Sequence, residues 1–91
     1  MATPFVAEKD PAATLDYQFN WAEWLAGDTL SASTWTADDG LTVEDDDFTN
    51  VLTTVWLSGG TAGLAYAVTN RIVTAGGRTD ERTLSIVVME K

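Results

Sequence analysis

The chain has 91 residues, no Cys and no His, and fourteen acidic residues against five basic ones give it a formal charge of -9. That length holds one compact domain and not two, while the missing residue types remove the imidazole base, the thiolate nucleophile, the usual zinc ligands and any disulfide. The charge repels phosphate backbones and anionic lipid, so neither nucleic acid nor membrane is an expected partner.

Residues 1–14 carry both prolines, four alanines and an isolated Phe5 with no helical or alternating pattern. They read as an extended N-terminal arm, and they lack the basic and apolar regions of a secretory leader. Leu15-Asp16-Tyr17-Gln18-Phe19-Asn20 alternates apolar with polar residues, which places Leu15, Tyr17 and Phe19 on one strand face. Trp21, Trp24 and Leu25 then fall at helical spacing, and Gly27 is suited to end that single turn in a left-handed conformation.

Thr29 to Thr36 is rich in small and β-branched residues and reads as the next strand. Leu30 and Trp35 sit at opposite parity, so either a bulge turns both inward or Trp35 lies on the outer face. Asp38-Asp39-Gly40 marks a turn, Leu41-Thr42-Val43 a short strand, and Glu44 to Asp47 a solvated acidic loop whose spacing does not fit an EF-hand. Val51, Val55 and Leu57 line one face of the following strand and Leu52 and Trp56 the other, which indicates a central position covered on both sides.

Ser58-Gly59-Gly60-Thr61-Ala62-Gly63 reads as a connection; it lacks the lysine of a phosphate-binding loop. Leu64, Tyr66, Val68, Asn70 and Ile72 share the parity of a long strand, Ala75 to Arg78 forms a hairpin turn, and Arg82, Leu84, Ile86 and Val88 share the parity of the last strand. Short strands with turns every 8 to 12 residues or so, and no long amphipathic helix, predict an all-β, immunoglobulin-like or fibronectin-III-like antiparallel sandwich of six to seven strands over residues 15–91. The expected core comprises Leu15, Tyr17, Trp24, Leu30, Val43, Val51, Val55, Leu64, Tyr66, Val68, Ile72, Leu84 and Ile86.

No catalytic constellation is visible, and no cofactor or metal is expected. Four tryptophans are more than a small core ordinarily needs. Trp24 and Trp56 are assigned to the core, Trp21 and Trp35 to a protein interface. Arg78 and Arg82 lie beside Asp80 and Glu81, with which they would form local ion pairs unless they reach a partner carboxylate.

The segments Lys9-Asp10-Pro11, Leu15-Asp16-Tyr17, Trp21-Ala22-Glu23-Trp24-Leu25, Gly27-Asp28-Thr29-Leu30 and Gly40-Leu41-Thr42-Val43 resemble those of small virion proteins of tailed bacteriophages. Val55 to Gly63, Tyr66 to Ile72 and Gly77 to Leu84 are similar to the characteristic stretches of phage fiber-tail adaptor proteins, and the likeness runs from Lys9 to Val88. The resemblance implies a non-enzymatic, immunoglobulin-like virion component of the neck, tail or baseplate, made in the host bacterial cytoplasm. It would join tail or neck proteins to fibers or neighbouring rings, with copies of itself in a symmetric ring. A capsid decoration or cement protein and a fibronectin-III-like module of a secreted protein are the alternatives. The residues assigned to protein contacts are Phe5 and Pro11 of the arm, Trp21, Trp35, Ser58, Gly59, Gly60, Thr61, Arg78 and Arg82.

Overall fold

The computed structural model describes residues 5–90; residues 1–4 of the expected arm lie outside them. Seven strands, β1 (Phe5–Lys9), β2 (Leu15–Asn20), β3 (Leu30–Ala37), β4 (Leu41–Phe48), β5 (Leu52–Gly59), β6 (Ala65–Thr74) and β7 (Thr79–Val88), are joined with one short helix, α1 (Ala22–Leu25), between β2 and β3. They form two sheets, ordered β1-β7-β6-β3 and β2-β5-β4. The chain passes from one sheet to the other after β1, β2, β3 and β5, and stays within a sheet for the β4–β5 and β6–β7 pairs, so the two layers are interwoven.

Period-two burial is the direct cause of the layering. Along β6, Tyr66, Val68, Asn70, Ile72 and Thr74 turn inward; β7 supplies Leu84, Ile86 and Val88, and β5 supplies Thr53, Val55 and Leu57. Strand β5 is the centre of its sheet, as its pattern predicts. Its second face is less covered than expected, since Leu52 and Trp56 are only half-buried.

A register shift between Leu30 and Ala32 resolves the parity conflict in β3: the bulge brings both Leu30 and Trp35 into the core. Trp35 on this third strand stacks on Phe19 of β2, with ring centroids 5.6 Å apart. Near the start of β6 the Tyr66 hydroxyl accepts a hydrogen bond from the Thr61 N–H at 2.9 Å. A buried tryptophan on the third strand and a tyrosine bonded back to the preceding corner are recurring features of immunoglobulin sandwiches, and the architecture is compatible with that fold.

Several local expectations are corrected. Residues 5–9 are extended but do not project as an arm: β1 runs parallel to β7, from Phe5 opposite Leu84 to Lys9 opposite Val88. Asp45, Asp46 and Asp47 belong to β4 rather than to a loop, paired with Trp56, Val55 and Thr54. Edge position explains their charge, because neither face of this stretch is covered. Helix α1 ends one residue before Gly27, on Ala26 in the left-handed region at φ 50°.

The tryptophan assignments are reversed: Trp21 and Trp35 are core residues, whereas Trp24 and Trp56 are half-buried. Of the expected core, Leu15 and Leu64 are exposed and Tyr17, Val43 and Val51 are partly covered; Phe19, Leu25, Leu41, Leu57 and Val88 join it instead. Leu64 lies in the turn before β6 rather than on the strand, and Leu15 opens β2, an edge strand.

Candidate interaction surfaces

Phe5 sits at the open flank of the sandwich, where the edge strands β1 and β2 of opposite sheets approach each other. Its ring is 41% exposed and meets Phe19 edge-on at 4.8 Å. The Arg82 guanidinium stands 5.9 Å from the Phe5 ring and 3.9 Å from that of Trp21, and donates to the Asn20 carbonyl at 3.0 Å. Arg82 therefore roofs the indole rather than pairing with Asp80 or Glu81. The ion pair formed in this region is between Arg71 and Glu81, at 3.9 Å and well exposed.

Arg78 likewise turns away from its sequence neighbours. It lies 4.3 Å over the Trp24 ring, donates to the Leu25 carbonyl at 2.8 Å and pairs with Asp28 at 3.2 Å. Asp28 also accepts from the N–H groups of Thr29 at 2.8 Å and Gly76 at 3.1 Å. Its carboxyl is held below the ordinary range, chiefly by the Thr74 hydroxyl and then by the Thr29 N–H. One carboxylate thus ties the α1–β3 connection to the β6–β7 turn.

Trp21 is fully buried. Its indole N–H donates to the Thr53 hydroxyl and the Asn70 side-chain oxygen, both at 3.2 Å. No surface remains on it to meet a partner, which corrects its assignment as a contact residue. Trp35 is 8% exposed, and its Nε1 is buried without an acceptor. Pro11, in the turn between β1 and β2, is half-buried.

The glycine-rich segment fastens several strand ends together. The Ser58 hydroxyl donates to Glu44, the Gly59 carbonyl accepts from Lys9 Nζ at 2.8 Å, and the Gly60 N–H donates to the Gly40 carbonyl at 2.9 Å. Gly60 has φ 95°, and a Cβ there would stand 2.6 Å from Val88 Cγ2, so glycine is required both by conformation and by space. Thr61 is exposed. Lys9, on β1, is enclosed at 0% exposure, with Nζ donating also to the Asp10 carbonyl at 2.8 Å. Burial lowers its pKa, opposed by the charge of Asp10.

The sequence pattern missed one surface feature. A cleft of about 190 Å³ opens between β1 and β2, walled by Phe5, Ala7, Tyr17, Phe19, Trp35 and Leu84. The alternation of β2 points Tyr17 and Phe19 toward it, but the position of β1 opposite them depends on a pairing with the far end of the chain. The described residues contain no group of three or more carboxylate, His or Cys side chains that could hold a metal ion. None of their helices is long and apolar enough to cross a membrane.

A family model described as "Podophage GP4 fiber-tail adaptor protein gp77" matches residues 9–87. No curated protein matches the chain.

Proposed function

Because the chain belongs to the podophage GP4 fiber-tail adaptor protein gp77 family, a family of phage structural proteins, we propose that it acts in the virion as a passive joint. It would link tail or neck proteins to fibers or neighbouring rings through protein–protein contacts, without turning over any substrate. The match across residues 9–87 carries this reading. The side chains fit it: Arg78, Arg82, Lys9, Thr53 and Asn70 are used to hold segments of the sandwich together, and the cleft described above is lined mostly by apolar side chains.

A symmetric ring of copies would multiply weak contacts through effective concentration. The -9 charge would keep free copies apart before assembly. Of the residues assigned to contacts, Phe5, Thr61 and Arg78 have surface to offer, with Pro11, Ser58, Gly59, Gly60 and Arg82 partly accessible.

Electron microscopy of phage particles made with and without this protein tests the reading. Particles lacking it should have tails without attached fibers, or should stall before the tail is joined. A tag on the protein should appear between those parts. Particles that assemble with fibers in its absence would refute the adaptor role.

A further inference from the structure

Resting on that adaptor reading, we infer that the outer face of the β2-β5-β4 sheet takes, on Trp56, an arginine from a basic segment of another virion protein. Val55 and Leu57 of the central strand β5 turn into the core, so Thr54, Trp56 and Ser58 face outward. Trp56 is half-buried, opposite Asp16 of β2 on one side and Asp45 of β4 on the other. Directly opposed residues of an antiparallel pair project to the same side, with Cβ atoms about 4.5–5.5 Å apart. The indole therefore lies between two carboxylates.

Strand β4 adds further acid to the same side. The register shift between Val43 and Asp45 inserts Glu44, whose carboxylate accepts from the Ser58 hydroxyl, and Asp47 stands opposite Thr54. Asp45 and Asp47 each accept the N–H that follows, of Asp46 at 2.9 Å and of Phe48 at 2.8 Å. A carboxylate has room for several donors, so these bonds orient the side chains and leave them able to accept from a guanidinium.

Elsewhere the chain shows what such a set holds. Arg78 lies 4.3 Å over Trp24 and pairs with Asp28 at 3.2 Å, and Arg82 lies 3.9 Å over Trp21. Trp56 has the ring and the carboxylates, but no described basic residue completes it. Arg78 and Arg82 are committed to those other indoles, Arg71 pairs with Glu81 on the opposite sheet, and Lys9 is enclosed. An arginine suits the place better than a lysine, because its plane stacks on the ring while its edge reaches a carboxylate.

Charge favours a different protein over a second copy. Two chains of charge -9 repel one another, whereas a basic segment is drawn by the same field. Tryptophan and arginine are also the residues on which binding energy concentrates at interfaces.

The test is a titration of the full-length, isotope-labelled protein by nuclear magnetic resonance. The probe is a five-residue, end-blocked peptide carrying two arginines among serines and threonine. The Trp56 indole N–H and the amides of Asp16 and Asp45 should shift most. Trp56→Leu, and separately Asp16→Asn with Asp45→Asn, should each weaken binding at least about fivefold while an unchanged Tm shows the fold intact. Asp39→Asn removes the same charge from the β3–β4 turn and should leave the affinity unchanged. A lysine probe of equal charge should bind more weakly, and a citrulline probe, planar but uncharged, should not bind. Equal weakening by Asp39→Asn, equal binding of the lysine and arginine probes, insensitivity to Trp56→Leu or no binding at all would overturn the assignment. So would self-association of the protein that Arg71→Ala and Trp56→Leu each abolish, which would put a second copy on this face. Fiber attachment is read separately from particles made without the protein, so this site can fail while the adaptor role stands.

Discussion

Trp21 and Asn70 meet across the interior of the sandwich, the indole N–H donating to the amide oxygen at 3.2 Å. The same oxygen accepts from the Thr53 hydroxyl at 2.7 Å, and the Asn70 amide nitrogen donates to the Ser33 hydroxyl at 2.9 Å and the Thr34 carbonyl at 3.2 Å. One fully buried side chain on β6 therefore uses both donors and both acceptor positions to tie β3, β5 and the end of β2 together. Asn70→Leu removes all four bonds at once and leaves the indole N–H with the Thr53 hydroxyl alone, so a loss of about 2–4 kcal/mol in urea-unfolding free energy is expected. Thr53→Val removes one hydroxyl and should cost about 1 kcal/mol. Their double mutant should depart from the sum, because both act on one network and only together leave the Trp21 N–H without an acceptor; full additivity would contradict the coupling.

Asp28 controls the acid limb of stability. Its carboxyl titrates below its ordinary value of 3.8, first through the Thr74 hydroxyl and then the Thr29 N–H, with the Gly76 N–H and Arg78 adding smaller contributions. A depressed folded-state pKa gives stability that is fully present above the unfolded value and is lost as pH falls through the folded one. Asp28→Asn should therefore lower Tm at neutral pH and narrow its gap from the wild type as pH drops below about 4. Thermal melts across pH 2–7 check this: a gap that stays constant would show that the carboxylate charge contributes nothing. Arg78→Ala should cost about 1 kcal/mol, since it removes a guanidinium from the Trp24 face at an exposed site.

The elements legible in the sequence are those whose pattern is local. Alternation alone locates the inward faces of β2, β6 and β7, and the opposite parity of Leu30 and Trp35 is enough to pose the choice that the β3 bulge settles. What escaped is set by distant partners. Trp24 and Trp21 share one turn, and their unequal burial follows from Thr53 and Asn70, which belong to other strands and accept the Trp21 N–H. Arg78 and Arg82 find their partners 50 and 62 residues away, so their neighbours in sequence were misleading. The same holds for the cleft, whose two walls come together only because β1 pairs with the last strand. Family membership was readable from motifs, whereas the burial of Trp21 was not.

Lys9 illustrates a charge retained inside because its bonds are met. Both acceptors of Nζ are backbone carbonyls, of Asp10 and Gly59, and burial depresses the pKa from 10.5. The unfolded chain then binds more protons than the folded one between the two pKa values, so this group makes stability rise with pH across that interval. Tyr17 acts in the opposite sense above pH 10.0, because burial and then Asp16 raise its pKa. Comparing wild type with Lys9→Met cancels the tyrosine contribution. The wild type should gain on the variant as pH climbs through the interval below 10.5. A difference independent of pH in that range would refute a depressed Lys9. The variant also leaves the Gly59 carbonyl without its donor, for which about 1–3 kcal/mol of destabilisation is expected at pH 7.

Strand β1 makes the N-terminal segment part of the folding unit. Deleting residues 1–9 strips the β7 edge of its parallel partner, removes Phe5 from the face of Phe19, and takes the Lys9 ammonium from the Gly59 carbonyl. It also uncovers Leu84 and Ile86, now 6% and 0% exposed. Lost burial of that kind costs about 25 cal/mol per Å² of apolar surface, so the truncated chain should unfold with at least about 2 kcal/mol less free energy. An independently folded sandwich with a dispensable arm would show no such loss. The two possibilities separate cleanly in a urea titration, provided the slope with denaturant is compared as well: removal of a docked strand reduces the surface exposed on unfolding and lowers that slope, whereas loss of a free arm leaves it unchanged.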